Sequence, residues 1–159
     1  MHKIALLTLA ICASLQVRAQ TSFVVRLDSA QEFPPNSSTA TGSGTLTLNA
    51  DSSLSYNIAY SGLTNDFQAA HIHGPAGVGA NASVLFPLSN VATNARSGAL
   101  QGTTPALTPV QAGYLTNGLL YANIHTLGSQ DGEIRGQIGL SSGGHPINDY
   151  ARVNDGHWS

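Results

Sequence analysis

Apolar and polar residues alternate with a period of two over much of this chain, and the helical period is nearly absent. Gly44-Thr45-Leu46-Thr47-Leu48 and Leu54-Ser55-Tyr56-Asn57-Ile58-Ala59-Tyr60 put every second residue on one face, the pattern of half-buried strands. Between them Asn49-Ala50-Asp51-Ser52-Ser53 is turn chemistry, which predicts a hairpin. Phe23-Val24-Val25-Arg26-Leu27 reads as an earlier strand. Pro34-Pro35 then blocks ladder hydrogen bonding and marks a loop. Further strands are predicted over residues 69–73, 83–87, 95–102, 119–126 and 133–140.

One short helical turn is expected. Thr108 can cap it, Pro109 suits its first turn, and Asn117-Gly118 can end it in a left-handed cap. Seven or eight short strands with turns between them predict an all-β Greek-key sandwich over residues 20–140. Residues 141–159 begin Ser-Ser-Gly-Gly and hold few apolar groups, so they are expected to form a tail of low order. The chain shows no internal repeat. Gly74 to Asn81 is a glycine-rich loop, but no Lys follows it and no helix succeeds it, so it is not a phosphate-binding loop.

The first 19 residues have a different character. Met1-His2-Lys3 is positive, residues 4–15 are almost wholly apolar, and Val17-Arg18-Ala19 offers small residues where a signal peptidase reads. This is the pattern of a cleavable secretory signal, too short to span a bilayer, with Gln20 as the first mature residue. The rival reading, a lipoprotein with Cys12 lipidated, is disfavoured by bulky Ile11 before it. Cys12 is the one cysteine of the chain, so a chain cleaved after Ala19 has no disulfide, no thiol chemistry and no cysteine ligand.

Processing also removes Lys3 and Arg18. Four arginines then face eight acidic residues, a net charge near −4, and no lysine remains. Nucleic acids and anionic membranes require clustered positive charge, so both are poor partners. Ser, Thr, Asn, Gln and Gly carry the solubility, in keeping with an extracellular or periplasmic location.

The candidate chemistry lies in the histidines. His71 and His73 are two apart on a predicted strand, so both imidazoles point the same way with Cα atoms ~6.5–7 Å apart. Imidazole is a common ligand for copper and zinc. On another predicted strand His125 shares a face with Asn123 and Tyr121. The alternative is that all three are ordinary polar residues at strand ends, bonded to loop carbonyls. Arg135 also has two readings: a positive group beside an anion-accessible metal, or a structural group paired with Glu133, Glu32 or loop carbonyls. Glu32 with Pro34-Pro35 reads as a structural corner. Asp131 and Glu133 flank a glycine and are expected in solvent. Tyr56, Tyr60, Tyr121 and Phe86 are expected in the core or on a sheet face. No Gly-x-Ser-x-Gly elbow is present, so hydrolase chemistry has no support. Asn36-Ser37-Ser38 and Asn81-Ala82-Ser83 are glycosylation sequons, and His145 and His157 are expected solvated in the tail.

Three segments resemble the CHRD (chordin-type) domain family: Leu27-Asp28-Ser29-Ala30-Gln31-Glu32-Phe33-Pro34-Pro35, Ala70-His71-Ile72-His73-Gly74-Pro75-Ala76, and Tyr121-Ala122-Asn123-Ile124-His125-Thr126 with Gly132-Glu133-Ile134-Arg135-Gly136-Gln137-Ile138. Their order and spacing cover nearly all of residues 21–140. The resemblance implies an immunoglobulin-like or superoxide-dismutase-like extracellular β-domain, such as the repeats of chordin, which binds growth factors. It does not imply an enzyme. A fainter similarity is to the copper/zinc superoxide dismutase sandwich, because His71, His73, His125 and Arg135 fall in that family's order. The chain departs from it in having no histidine between Gly74 and Gly118 to bridge to zinc, and no zinc cluster.

Two function classes follow. One is an exported module that binds an extracellular protein or small ligand, with or without a copper ion on His71, His73 and His125. The other is a copper carrier or a copper-only, dismutase-like redox enzyme. The processing expectation is tested by N-terminal sequencing of the secreted form, which should begin at or near Gln20; an intact Met1 or a lipidated Cys12 would contradict it.

Overall fold

The computed structural model describes residues 20–141. The expected signal peptide (1–19) and all but the first residue of the expected tail (142–159) lie outside the described residues. Ten strands form two antiparallel sheets. The first holds β1 (Thr21–Leu27), β2 (Thr41–Leu48), β3 (Leu54–Ser61), β6 (Asn90–Asn94), β7 (Ser97–Thr103) and β10 (Gly139–Leu140), in the order β10-β1-β2-β3-β7-β6. The second holds β4 (Phe67–His73), β5 (Val84–Pro87), β8 (Tyr121–Thr126) and β9 (Ser129–Gln137), in the order β5-β4-β8-β9. The chain passes between sheets after β3, β5, β7 and β9, so the all-β sandwich is as predicted.

Alternation decides the inner faces. Phe23 pairs with Leu46, and Ile58 with Leu100, all buried between the sheets. Ile72, Ile124 and Ile134 meet them from the second sheet. The four aromatic residues expected in the core or on a face are buried. Tyr56 and Tyr60 satisfy their hydroxyls on the Ser89 N–H (2.9 Å) and the Asn90 side-chain oxygen (2.9 Å).

Three predicted elements differ from those observed. The strand expected over 95–102 is the second arm of a β6–β7 hairpin, because the Asn94 side chain accepts the Arg96 N–H at 2.8 Å and turns the chain. The strand expected over 133–140 breaks at Ile138, whose N–H turns to the Leu120 carbonyl as the chain changes sheets. The expected helical turn is an eight-residue helix, α1 (Pro109–Thr116), with a full capping box between Thr108 and Gln111. A 3₁₀ turn at Ser29–Gln31, not foreseen, forms because the Asp28 carboxylate accepts the Gln31 N–H.

The sheets are also joined along one edge. Asp28 and Arg135 exchange backbone hydrogen bonds of 3.0 and 3.1 Å, tying the end of β1 to β9. Gly136 permits this approach, since a Cβ there would run into the Arg26 carbonyl oxygen. At the far end Ser141, the first residue of the expected tail, still donates its N–H to the Ser22 carbonyl at 3.0 Å.

Leu100 is fully buried on β7, between β3 and the edge strand β6 of the first sheet. Leu100→Ala should therefore lower unfolding free energy by about 2–5 kcal/mol in denaturant titration. A loss well under 1 kcal/mol would mean that the two sheets do not close over it.

Candidate metal centre

The outer face of the second sheet is a grid of polar side chains. Residues alternate along each strand, so Ala69, His71 and His73 of β4 point outward while Ala70 and Ile72 point to the core. On β8 the outward set is Tyr121, Asn123 and His125. Register sets His71 opposite Asn123, Asn123 opposite Arg135, and His73 opposite Tyr121. Much of this outer face is closed to water: Tyr121, Asn123 and Arg135 are 2%, 3% and 1% exposed, while His71 and His125 are half-buried. Loop residues 28–36 and 74–83 cover it, tied to each other by the Asn81 amide, which donates to the Phe33 carbonyl at 2.9 Å.

The three histidines expected as ligands converge. One ring nitrogen from each lies within 4.8 Å of the others. His71 Nδ1 and His125 Nε2 are 3.0 Å apart. Two nitrogens bound to one metal at about 2.0–2.1 Å are at most about 4.2 Å apart, so closing the set takes roughly half an ångström of side-chain movement.

Two backbone carbonyls orient the rings. His73 Nδ1 lies 2.9 Å from the Ala82 carbonyl and His125 Nδ1 lies 2.7 Å from the Gln130 carbonyl. Both Nδ1 atoms therefore carry the proton and donate, which leaves both Nε2 atoms as acceptors: that of His125 accepts from His71 Nδ1, and that of His73 is left free. This is the outer-shell arrangement that fixes ligand tautomers in metal sites. His73 Nε2 is buried and has no hydrogen-bond partner, although burying such an atom unpaired is unfavourable.

Electrostatics hold the cluster neutral. The pKa values of all three fall below the usual histidine value, burial being the largest cause for each. For His71 the other two histidines add to the effect. For His73 and His125, hydrogen bonds to Ala82 and Gln130 oppose it.

Arg135 holds the covering loop. Its guanidinium carbon sits 3.4 Å from the centre of the Tyr121 ring, and its Nη atoms donate to the Asn81 side-chain oxygen and the Gly77 carbonyl, each at 3.2 Å. The His73 ring stacks on Tyr121 at 4.9 Å, inclined by 4°. The Tyr121 hydroxyl accepts the Ala82 N–H at 3.1 Å. Ala82, which orients His73, is thus clamped from both ends. Among the described residues the one ion pair is the exposed Arg96–Asp66 contact, so Arg135 pairs with neither Glu133 nor Glu32.

Two acidic residues differ from the sequence reading. Glu133, expected in solvent, is fully buried. Its carboxylate accepts from the Thr64 N–H, Ser38 and Thr126 at 2.7–2.8 Å, and these bonds outweigh burial and hold its pKa low. Glu32 forms the expected corner but is also 6% exposed and accepts from both sides of its carboxyl the Asn123 amide, at 2.9 and 3.1 Å. Burial raises its pKa to about 7 against the pull of Arg135. Asn123 was legible in sequence only as a neighbour of His125 on one face. The Ala82 and Gln130 carbonyls have no sequence signal at all. Both sequon asparagines are engaged, Asn81 as above and Asn36 on the Glu133 carbonyl at 3.0 Å. His145 and His157 lie outside the described residues.

The family model for the CHRD domain matches residues 23–138. No curated protein and no solved structure matches the chain.

Glu32 generates a pH prediction with a definite sign. Its folded pKa is raised to about 7 from 4.5, so between those values the folded chain holds a proton that the unfolded chain has released. Its contribution to stability is full below about pH 4.5 and is lost as pH rises through 7. The histidines act in the opposite direction below pH 6.5. Glu32→Gln isolates the carboxyl: relative to wild type, the variant should gain on the order of 1–2 kcal/mol between pH 5 and pH 8. A difference that stays flat in thermal unfolding across that range would refute the buried, proton-holding carboxyl.

Proposed function

The chain belongs to the CHRD-domain family, and from that premise we propose that it is an exported binding module that carries one copper ion on His71, His73 and His125. CHRD domains occur in extracellular proteins and serve as interaction modules. Among the described residues no helix is long and apolar enough to cross a membrane. The apolar stretch 4–15 with Val17-Arg18-Ala19 supports export, and the acidic balance supports a partner other than nucleic acid.

The observation that carries the metal reading is the buried, unpartnered Nε2 of His73, aligned with two other imidazoles by carbonyl hydrogen bonds. An ordinary structural histidine would have both ring nitrogens satisfied. Three neutral imidazoles favour copper over zinc by the Irving–Williams order. A three-nitrogen set also leaves a coordination position open, which supports the second reading, a copper carrier or dismutase-like redox enzyme.

Copper titration of the untagged protein, wild type against His73→Ala and His125→Ala, tests the site. Each substitution removes a ligand, so affinity should fall by more than the ~10–100-fold typical of losing an outer-shell partner. Equal affinity in all three proteins ends the proposal. The ligands must be neutral to bind, and their folded pKa values are lowered. Binding should accordingly hold through pH 6.5 and weaken only at lower pH. If copper binds while superoxide consumption stays at the level of the metal-free protein, the redox reading fails and the binding site stands.

A further inference from the structure

Two buried side-chain atoms among the described residues lack a hydrogen-bond partner: His73 Nε2 and Asn123 Oδ1. The copper reading accounts for the first and leaves the second unexplained. Register supplies the connection. His73 and His125 lie in the two rows on either side of the row that holds His71 and Asn123. Their rings reach toward each other, with centroids 5.9 Å apart, so the three ligand nitrogens meet over that middle row. Asn123 occupies the half of the row that His71 does not.

The amide of Asn123 has a defined orientation. Its Nδ2 donates to both oxygens of Glu32 at 2.9 and 3.1 Å. Gly132, at φ +134°, closes over that arm, since a Cβ there would strike Asn123 Nδ2 and approach Glu32 Oε1 to 2.6 Å. With one arm of the amide held on Glu32, the other arm, Oδ1, is turned away from it. Asn123 is 3% exposed, so water outside the fold does not satisfy this oxygen.

We propose that Asn123 Oδ1 accepts a hydrogen bond from the fourth ligand of the copper ion, and that the site thereby selects small protic oxygen ligands, such as water or hydrogen peroxide, over anions that carry no hydrogen. This rests on the copper reading above. Oδ1 is an acceptor only, so a ligand with an O–H gains a hydrogen bond there. A ligand such as azide gains none and leaves the carbonyl oxygen buried without a partner. Glu32 is the positioning residue, acting through the amide nitrogen. Asn123 is the residue that touches the ligand.

Azide titration of the copper-loaded, full-length protein, followed by its charge-transfer absorption and by electron paramagnetic resonance, tests the idea. Asn123→Leu keeps the volume and removes the acceptor, so water loses its advantage and azide should bind on the order of 2–10-fold more tightly. Glu32→Gln retains an oxygen acceptor for the amide and should leave azide affinity at the wild-type value. Unchanged azide affinity in Asn123→Leu overturns the proposal, as does an equal rise in Glu32→Gln, which would assign the effect to carboxylate charge. Should Asn123→Leu fail to fold, a crystal structure of copper-loaded wild type decides. An oxygen ligand of copper within about 3.2 Å of Asn123 Oδ1 supports the proposal, and an Oδ1 without that contact refutes it. A spectrum with three coupled nitrogens and no such contact defeats this inference alone, whereas absence of copper binding defeats the copper reading itself.

Discussion

Strand β8 is buried on both faces, and a buried polar group must find a partner. Its inner face carries Ala122 and Ile124, which pack between the sheets without difficulty. Its outer face carries Tyr121, Asn123 and His125, and each imposes a demand on the chain around it. Tyr121 engages Ala82, Asn123 engages Glu32, and His125 engages the Gln130 carbonyl. These bonds reach the loops at residues 28–36 and 74–83 and the start of β9, so the covering layer is organised by the polar face it covers.

Arg135 belongs to the same system. A guanidinium that is 1% exposed has no water to satisfy it, and it draws in the Tyr121 ring, the Asn81 side chain and the Gly77 carbonyl. The result is a loop fixed closely enough to present one carbonyl to His73. The orientation of a metal ligand on β4 thus depends on a cation on β9, two strands away. Such dependence is what an outer shell requires, because a ligand set loses affinity when its rings can turn.

The two sheets divide the work. The first sheet has a polar outer surface of Thr, Ser and Asn on β2 and β3, while its inner surface supplies Phe23, Leu46, Ile58 and Leu100. It gives the domain its stability without cysteine. The second sheet is smaller, and its outer face is spent on buried polar groups, two of which remain unsatisfied among the described residues. Unsatisfied atoms persist where something other than stability is served, and here both are on the face that holds the three histidines.

Much of this was legible in the chain. Period-two alternation determined the strands, turn residues the Asn49–Ser53 connection, and capping residues the helix that follows Thr108, because these depend on neighbours in sequence. The i, i+2 spacing of His71 and His73 was enough to put both on one face, and the Asn123, His125 pair likewise. Glu133 was misread because a carboxylate beside a glycine looks solvated until Ser38 and Thr64, 95 and 69 positions away respectively, are folded onto it. Only the tertiary structure decided that β4 lies beside β8 with His71 opposite Asn123, that the Ala82 and Gln130 carbonyls select the imidazole tautomers, and that Asn123 Oδ1 is left alone. Alternation determines which way a side chain points from its own strand. It carries no information about what the rest of the chain brings to meet it, since backbone carbonyls are common to every residue and register is settled by packing over the whole sandwich.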